Sequence, residues 1–261
     1  MSYPAFNLSG KVALITGGNG GIGLGMAKAL ASAGADICIW GTNQDKNAKA
    51  LAELQSFDCK SAELICDVSD EAAVNEAFAK TLSIFGRIDT CIANAGVSGT
   101  QAGPFIDMSS EEWHRIIRIN LDGVFYTLRS AAKHMVERAA DGDAGGRLAV
   151  TASLAALAGA PRNEHYAASK GAVVSMIHGL AVELARYGIT ANSILPGWID
   201  TDMTAGVFAN EKFSDHVIPR IPMRRYGNAD DFGGIAIYLA SDASSYHTAE
   251  SFVIDGGYWR F

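Results

Sequence analysis

Positive charge is in short supply in this 261-residue chain: 21 Lys and Arg stand against 28 Asp and Glu, a formal net charge of -7. A duplex-binding protein displaces counterions with a basic field, so nucleic acid is not expected as a partner. Cysteine is scarce too. Cys38, Cys59, Cys66 and Cys91 form no CxxC pair, and three of them sit in apolar runs, as small core residues do. Such thiols suit a reducing compartment, so a cytoplasmic location is expected. The six histidines show neither HxxxH nor HxH spacing and join no Cys/His cluster, so no metal site is expected. Long apolar runs are missing as well. The most apolar window, Leu148 to Ala160, is interrupted by Thr151, Ser153 and Gly159 and is too short to span a bilayer. The opening segment MSYPAFNLSGK has no basic stretch followed by an apolar one, so neither a signal peptide nor a membrane partner is expected.

Hydrophobic residues make up 49% of the chain and charged residues 19%, enough for a sizeable core and too apolar for a disordered chain. Short apolar runs alternate with helical patterns. The runs are Val12–Thr16, Asp36–Trp40, Ala62–Cys66, Thr90–Ala93, Leu148–Ala152, Thr190–Leu195 and Ser251–Ile254. Their continuous apolarity predicts strands covered on both faces, as in a parallel sheet. Helices are predicted over about Ile22–Ala33, Gln44–Ser56, Glu71–Phe85, Ser110–Arg138, Glu164–Tyr187 and Ala229–Ser241. Repeated strand–helix units imply an α/β doubly wound sheet of seven mainly parallel strands, in the order 3-2-1-4-5-6-7. No linker divides the chain. The stretch Asp141–Gly146 reads as an acidic turn, and a single domain over 1–261 is expected. The least regular segment, Trp198–Asn228, contains Pro219 and Pro222. It is too long for an idle connection, and a substrate lid at about 198–228 is the expectation.

The first strand runs into Thr16-Gly17-Gly18-Asn19-Gly20-Gly21-Ile22-Gly23 and then a helix. Glycines let the backbone turn sharply and approach a pyrophosphate, and the helix start offers unpaired N–H groups to phosphate. A lone glycine motif can be an ordinary tight turn; its place between the first strand and first helix favours a dinucleotide site. An acidic residue is expected about 20 residues further on, where it would hold a ribose diol. It is missing: the second strand ends Ile39-Trp40-Gly41-Thr42-Asn43. No arginine for a 2′-phosphate stands there either, and Gly18, Asn19 and Gly20 are not basic. NAD is expected over NADP, with Thr42 and Asn43 still able to hydrogen-bond a phosphate.

Tyr166 and Lys170, four apart, share one helix face. A phenol normally titrates near pH 10; an adjacent ammonium and an oxidised nicotinamide ring would favour the phenolate. Such a tyrosine can take a proton from an alcohol as hydride leaves and return it in reverse. A Tyr-x-x-x-Lys pair alone is common by chance. Ser153 closes the preceding strand, where it could polarise a substrate oxygen. Asn120, within the apolar helical pattern Ile116–Leu121, is either a surface amide or a group holding a water against the lysine. Asn94-Ala95-Gly96 closes the fourth strand and Pro196-Gly197 the sixth, at the same sheet edge.

Together these residues resemble the short-chain dehydrogenase/reductase family over essentially the whole chain. The motifs that carry the resemblance are Thr16-Gly17-x-x-x-Gly21-Ile22-Gly23, Asp67-Val68, Asn94-Ala95-Gly96, Asn120, Ser153, Tyr166-x-x-x-Lys170 and Pro196-Gly197-x-Ile199-x-Thr201. The resemblance implies a Rossmann-like fold and a catalytic tetrad of Asn120, Ser153, Tyr166 and Lys170. It also implies that Lys170 holds the nicotinamide ribose, Asp67 and Val68 meet the adenine, Asn94 lines the cofactor cleft, and Ile199 with Thr201 anchors the carboxamide. Ala93 departs from the many members with a second asparagine there, and the bare end of the second strand leaves the choice of cofactor less marked.

His165 reads as a residue at the pocket rim, and Trp198, Met203, Val207 and Phe208 as an apolar substrate wall. The aromatic end Tyr258-Trp259-Arg260-Phe261 would be costly to expose, and the resemblance implies that it packs against another subunit in a homotetramer. The expected activity is oxidoreduction of a small-molecule secondary alcohol or ketone that is neutral or moderately apolar. Reduction of 3-oxoacyl groups on acyl-carrier protein is the alternative. That partner is acidic, whereas Asp141 and Asp143 follow the fourth helix and Arg186 supplies one positive charge. A non-catalytic NAD(P)-sensing regulator is a further alternative, against which the retained Tyr166 and Lys170 both stand.

Overall fold

Unbroken apolar runs can be buried only if both faces of a strand are covered, and the chain arranges the five central strands so. The computed structural model describes residues 3–99 and 103–261; Met1 and Ser2 of the opening segment lie outside them. In chain order the elements are β1 (Val12–Thr16), α1 (Gly21–Ser32), β2 (Asp36–Gly41), α2 (Gln44–Leu54), β3 (Ser61–Ile65), α3 (Glu71–Phe85) and β4 (Thr90–Ala93). There follow α4 (Ser110–Ile117), α5 (Gly123–Ala140), β5 (Gly146–Thr151), α6 (Ala155–Ala158), α7 (Glu164–Leu184) and β6 (Ile189–Pro196). The chain closes with α8 (Ala205–Phe208), α9 (Glu211–Val217), α10 (Gly233–Ala240) and β7 (Ser251–Ile254). All seven strands form one parallel sheet in the order β3-β2-β1-β4-β5-β6-β7.

The pleat sends alternate side chains to opposite faces and so builds two cores. Leu14, Cys38, Trp40, Cys91 and Val150 pack on α3, α5 and α7 through Val74, Phe78, Leu128, Met135, Val173 and Ile177. Ala13, Ile15, Ile37, Ile39 and Ile194 pack on α1, α2 and α10 through Met26, Leu30, Leu54 and Ala236. Trp40 is fully buried, and its ring N–H is satisfied by Thr81 Oγ1 at 3.1 Å. All four cysteines are free thiols. Burial pushes the Cys38 thiol up to about 11 and that of Cys91 to about 12, as expected of core residues.

The helix expected over Ser110–Arg138 is interrupted. A π-helical turn, Arg118–Asp122, separates α4 from α5, with Asn120 in the middle of it. An apolar stripe cannot announce such a turn, because one inserted residue shifts the register without changing the composition. The segment expected as a lid, Trp198–Asn228, carries α8, α9 and a 3-10 turn at Ile218–Arg220. It is held by aromatic packing: Trp198 lies edge-on to Phe213 at 5.1 Å and to Tyr258 at 6.3 Å, and Phe208 stacks on Tyr226 at 3.7 Å. Its two ends are tied together. Ile199 and Gly227 form a parallel bridge, Asp200 N donates to Gly227 O at 2.8 Å, and Gly227 N donates to Trp198 O at 2.9 Å. No helix among the described residues is long and apolar enough to cross a membrane.

Candidate active site

A cavity of about 290 Å³ opens where β1, β4, β5 and β6 end. One wall is the glycine-rich loop, with Gly17 and Gly21 at φ +62° and +48°, a region that favours glycine. A Cβ at Gly23 would overlap the Gly17 carbonyl, so only glycine lets α1 start this close to β1. Helix ends leave backbone donors without partners. Asn43, Asp70 and Ser109 cap α2, α3 and α4 with side chains, and each of those helices has an acid in its first turn. By contrast, α1 begins after Gly20 with no side-chain cap and no acid. The 12-residue α1 therefore offers free N–H groups and a partial positive charge to the cavity, a donor set that fits a pyrophosphate. Gly17, Asn19, Gly21 and Ile22 line the cavity, with Gly23 behind them.

Asn94 fastens three strands at the floor. Its amide donates to Thr16 O and Gly17 O at 3.0 and 3.2 Å, its Oδ1 accepts from Thr151 Oγ1 at 3.0 Å, and its backbone N donates to Thr16 Oγ1 at 3.0 Å. Ala95, Gly96, Pro196, Gly197, Ile199 and Thr201 complete this side of the cavity. Ser153 lies beyond the end of β5 rather than in it. Tyr166, half-buried in the first turn of α7, and Lys170, one turn later and buried, face the same cavity. Lys170 Nζ stands 5.7 Å from the Tyr166 ring centre and donates to Thr151 O at 2.7 Å.

The protein's own contribution to the electrostatics is burial. Burial pushes the Tyr166 phenol above its usual value of 10, and the neighbouring Ser153 hydroxyl pulls it partly back. Burial also drives the Lys170 ammonium from 10.5 down to about 8. A protein interior penalises both charged forms.

Asn120 is not a surface amide. The π turn aims its fully buried side chain at the backbone of Val97: Oδ1 accepts from Val97 N at 2.8 Å and Nδ2 donates to Val97 O at 2.9 Å and to Ser169 Oγ at 3.2 Å. It lies behind the cavity wall, where a Cβ at Gly96 would meet both Asn120 Oδ1 and Lys170 Nζ, at 3.2 and 3.4 Å. Thr42 is exposed and does not line the cavity. Asp67 and Val68 sit after β3, also outside its lining: Asp67 accepts from Ser69, and Val68 packs on Gly123. His165 is not at a rim. It is fully buried, its two ring nitrogens lack hydrogen-bond partners among the described residues, and Nε2 lies 3.6 Å from Glu112 Oε1. Of the expected apolar wall, Met203 lines the cavity, whereas Trp198 and Phe208 belong to the aromatic cluster.

Sequence reasoning missed Lys46, Asp202 and Thr204, which line the cavity, and Asn47, which supports it. Lys46 and Asp202 pair at 2.6 Å across 156 positions of chain, a separation that no local pattern reveals. Thr204 Oγ1 accepts from Thr201 N and donates to Ile199 O, at 3.0 and 2.6 Å, and so shapes the turn that presents Ile199 and Thr201.

A family model described as enoyl-(acyl carrier protein) reductase matches residues 17–259. The 2-dehydro-3-deoxy-D-gluconate 5-dehydrogenase of Pseudoalteromonas atlantica is 37% identical over 261 residues, covering 97% of this chain and 97% of that protein. The 3-oxoacyl-(acyl-carrier-protein) reductase of Chlamydia pneumoniae is 34% identical, covering 96% and 97%. Among solved structures, a gluconate 5-dehydrogenase from Burkholderia cenocepacia in complex with NADP and tartrate superposes with a TM-score of 0.91, at 34% identity and 98% coverage of each chain. Whole-length matches of this kind, joined to the strand order and to motifs meeting in one cleft, mean that the chain belongs to the short-chain dehydrogenase/reductase family of nicotinamide-dependent oxidoreductases.

Proposed function

We propose that the protein interconverts a neutral secondary alcohol and its ketone, with Tyr166 moving the proton and NAD as the favoured cofactor. The observation that carries this reading is the meeting of Ser153, Tyr166 and Lys170 with an uncapped, glycine-rich helix start in one cavity. When bound, the nicotinamide accepts or supplies the electron pair. Tyr166 takes the alcohol proton in one direction and returns it in the other. Ser153 holds the substrate oxygen beside the phenol. Lys170, with one N–H on Thr151 O, keeps two donors for the nicotinamide ribose and lends positive charge to the phenolate. Asn120 fixes the Val97 backbone behind them.

Gly17, Gly21, Ile22 and Gly23 form the pyrophosphate cradle, Asn94, Ala95, Gly96, Pro196 and Gly197 the floor, and Ile199 with Thr201 the carboxamide end. Asp67 and Val68 are assigned to the adenine, as the family resemblance implies, although they sit further along the sheet edge. The segment 198–228 serves as the substrate lid of a single domain. A neutral substrate is favoured by charge. The two ammonium groups among the described lining residues are Lys170, beneath Tyr166, and Lys46, on Asp202, which leaves neither for a substrate carboxylate. We further propose a cytoplasmic homotetramer, consistent with four free thiols and with Trp259 and Phe261, which are 38% and 70% exposed in the single chain.

The test is a panel of secondary alcohols and ketones followed by absorbance of the reduced nicotinamide, with NAD and NADP in turn. Tyr166→Phe should lower turnover at least about a hundredfold with dinucleotide affinity unchanged. Near-normal turnover would remove the phenol from the mechanism. A second reading, reduction of a 3-oxoacyl chain on its carrier protein, draws support from the relative that is 34% identical. The net charge of -7 works against an acidic carrier. A 3-oxoacyl thioester included in the panel distinguishes the two.

A further inference from the structure

The end of β2 carries no charged side chain, yet the space beside it is filled. A Cβ at Gly41 would overlap the side-chain amides of both Asn19 and Asn47. Asn19 lines the cleft from the glycine-rich loop, and Asn47, on α2, is fully buried. Asn19 Nδ2 donates to Asn47 Oδ1 at 2.7 Å. Asn47 Nδ2 in turn faces acceptors only: Glu63 Oε2 at 3.0 Å, Leu64 O at 3.2 Å and Gly41 O at 3.3 Å. Neither a carboxylate nor a carbonyl can donate, so the Asn47 amide has one satisfactory orientation, with Oδ1 towards Asn19. Asn19 must then turn its amino group to Asn47. Its carbonyl oxygen is the pole left for a ligand.

We propose that the Asn19–Asn47 amide pair, anchored on Glu63, selects the dinucleotide at its adenosine ribose, favouring a free 2′-hydroxyl over a 2′-phosphate. The pair takes over the task that the missing acidic residue at the strand end would perform. A hydroxyl can donate to an amide oxygen. A phosphate dianion has no proton to give and meets an acceptor with a carboxylate behind it, a repulsive element that sharpens the choice. Lys46 lines the same cleft and would favour the phosphate, but its ammonium is engaged by the Asp202 carboxylate at 2.6 Å. This inference rests on the nicotinamide-binding reading above and deepens it.

Isothermal titration of the full-length protein with NAD and with NADP tests it without any turnover. The wild type should bind NAD at least about tenfold tighter than NADP. Asn19→Ala should weaken NAD about fivefold, the scale of one neutral hydrogen bond, and leave NADP unchanged. Asn47→Ala frees the Asn19 amide to rotate and present its N–H, so the gap should narrow from the NADP side. Melting curves show whether that variant folds; if it does not, Asn19→Ala, in a half-buried loop position, still decides the matter. NADP binding as tightly as NAD in the wild type, or an unchanged ratio in folded Asn19→Ala, would overturn the selection while leaving nicotinamide binding intact. Failure of both dinucleotides to bind would instead overturn the reading on which it rests.

Discussion

Replacing Lys170 by methionine should make the cofactor-free protein more stable at neutral pH, even though it removes a hydrogen bond. Burial lowers the ammonium from its usual 10.5 to about 8, so holding the charge inside the folded protein costs about 3 kcal/mol at pH 7. The loss of the donor to Thr151 O offsets about 1–2 kcal/mol of that relief at every pH. A net gain of about 1–2 kcal/mol at pH 7 remains. Between about 8 and 10.5 the unfolded chain binds more protons at this site than the folded one, so wild-type stability rises with pH across that window. By pH 9.5 the residual cost is about 1 kcal/mol, and the variant's advantage should have vanished or reversed. The Tyr166 phenol is shifted upwards and would erode stability only above pH 10, outside the range used. The raised thiols act equally in both proteins and cancel. Urea unfolding of both proteins at pH 7, 8.5 and 9.5 provides the measurement. A stability difference that does not change with pH would show that the ammonium is hydrated in the folded state and would refute the argument.

Other perturbations probe separate parts of the site. Gly23→Ala drives a methyl group into the Gly17 carbonyl and should cost about 1–3 kcal/mol, with dinucleotide affinity reduced at least about tenfold. An unchanged Kd by titration would mean that the loop does not cradle the phosphates. Asn120→Ala strands the N–H and C=O of Val97 and should lower stability by about 2–4 kcal/mol in urea unfolding. A loss below about 0.5 kcal/mol would show that Val97 finds other partners. Trp259→Ala together with Phe261→Ala should lower the mass measured by light scattering at micromolar concentration. An unaltered mass would dismiss the aromatic end as an interface. Truncation from Tyr258 is the poorer experiment, because Tyr258 packs on Trp198 and under Arg220 and its removal would disturb the segment 198–228 as well.

The sheet is legible because its strands are apolar runs bounded by turn residues, the five central ones buried on both faces and the edge strands β3 and β7 half-buried. β1, β4 and β7 begin and end where the apolar runs do, and the family comparison agrees with the resemblance read from the motifs. The break at Arg118–Asp122 was hidden, since Ile116, Ile119 and Leu121 continue a plausible helical face through it. The bare end of β2 is legible in the sequence; what fills the space beside it is not. Gly41 is small because the Asn19 and Asn47 amides fill the space, and Gly41→Asp, which would otherwise be the natural way to enforce NAD, would displace them. His165 was misplaced because its position beside Tyr166 in sequence says nothing of direction; successive residues on a helix point about 100° apart. In the segment 198–228, aromatic contacts over gaps of 15 to 60 residues take the place of periodicity.

The bridge between Ile199 and Gly227 gives the segment proposed as the lid the topology of a handle riveted at one point. Whatever happens to the chain in between, both ends return to the same place on the scaffold. Closure entropy grows only logarithmically with length, so a handle of this kind can be lengthened or exchanged for about 0.6 kcal/mol per doubling. Transplanting residues 205–226 from a relative, with Thr201, Asp202 and Thr204 left in place, should therefore carry its substrate preference onto an unaltered cofactor cleft, and new specificities can arise without renegotiating the core.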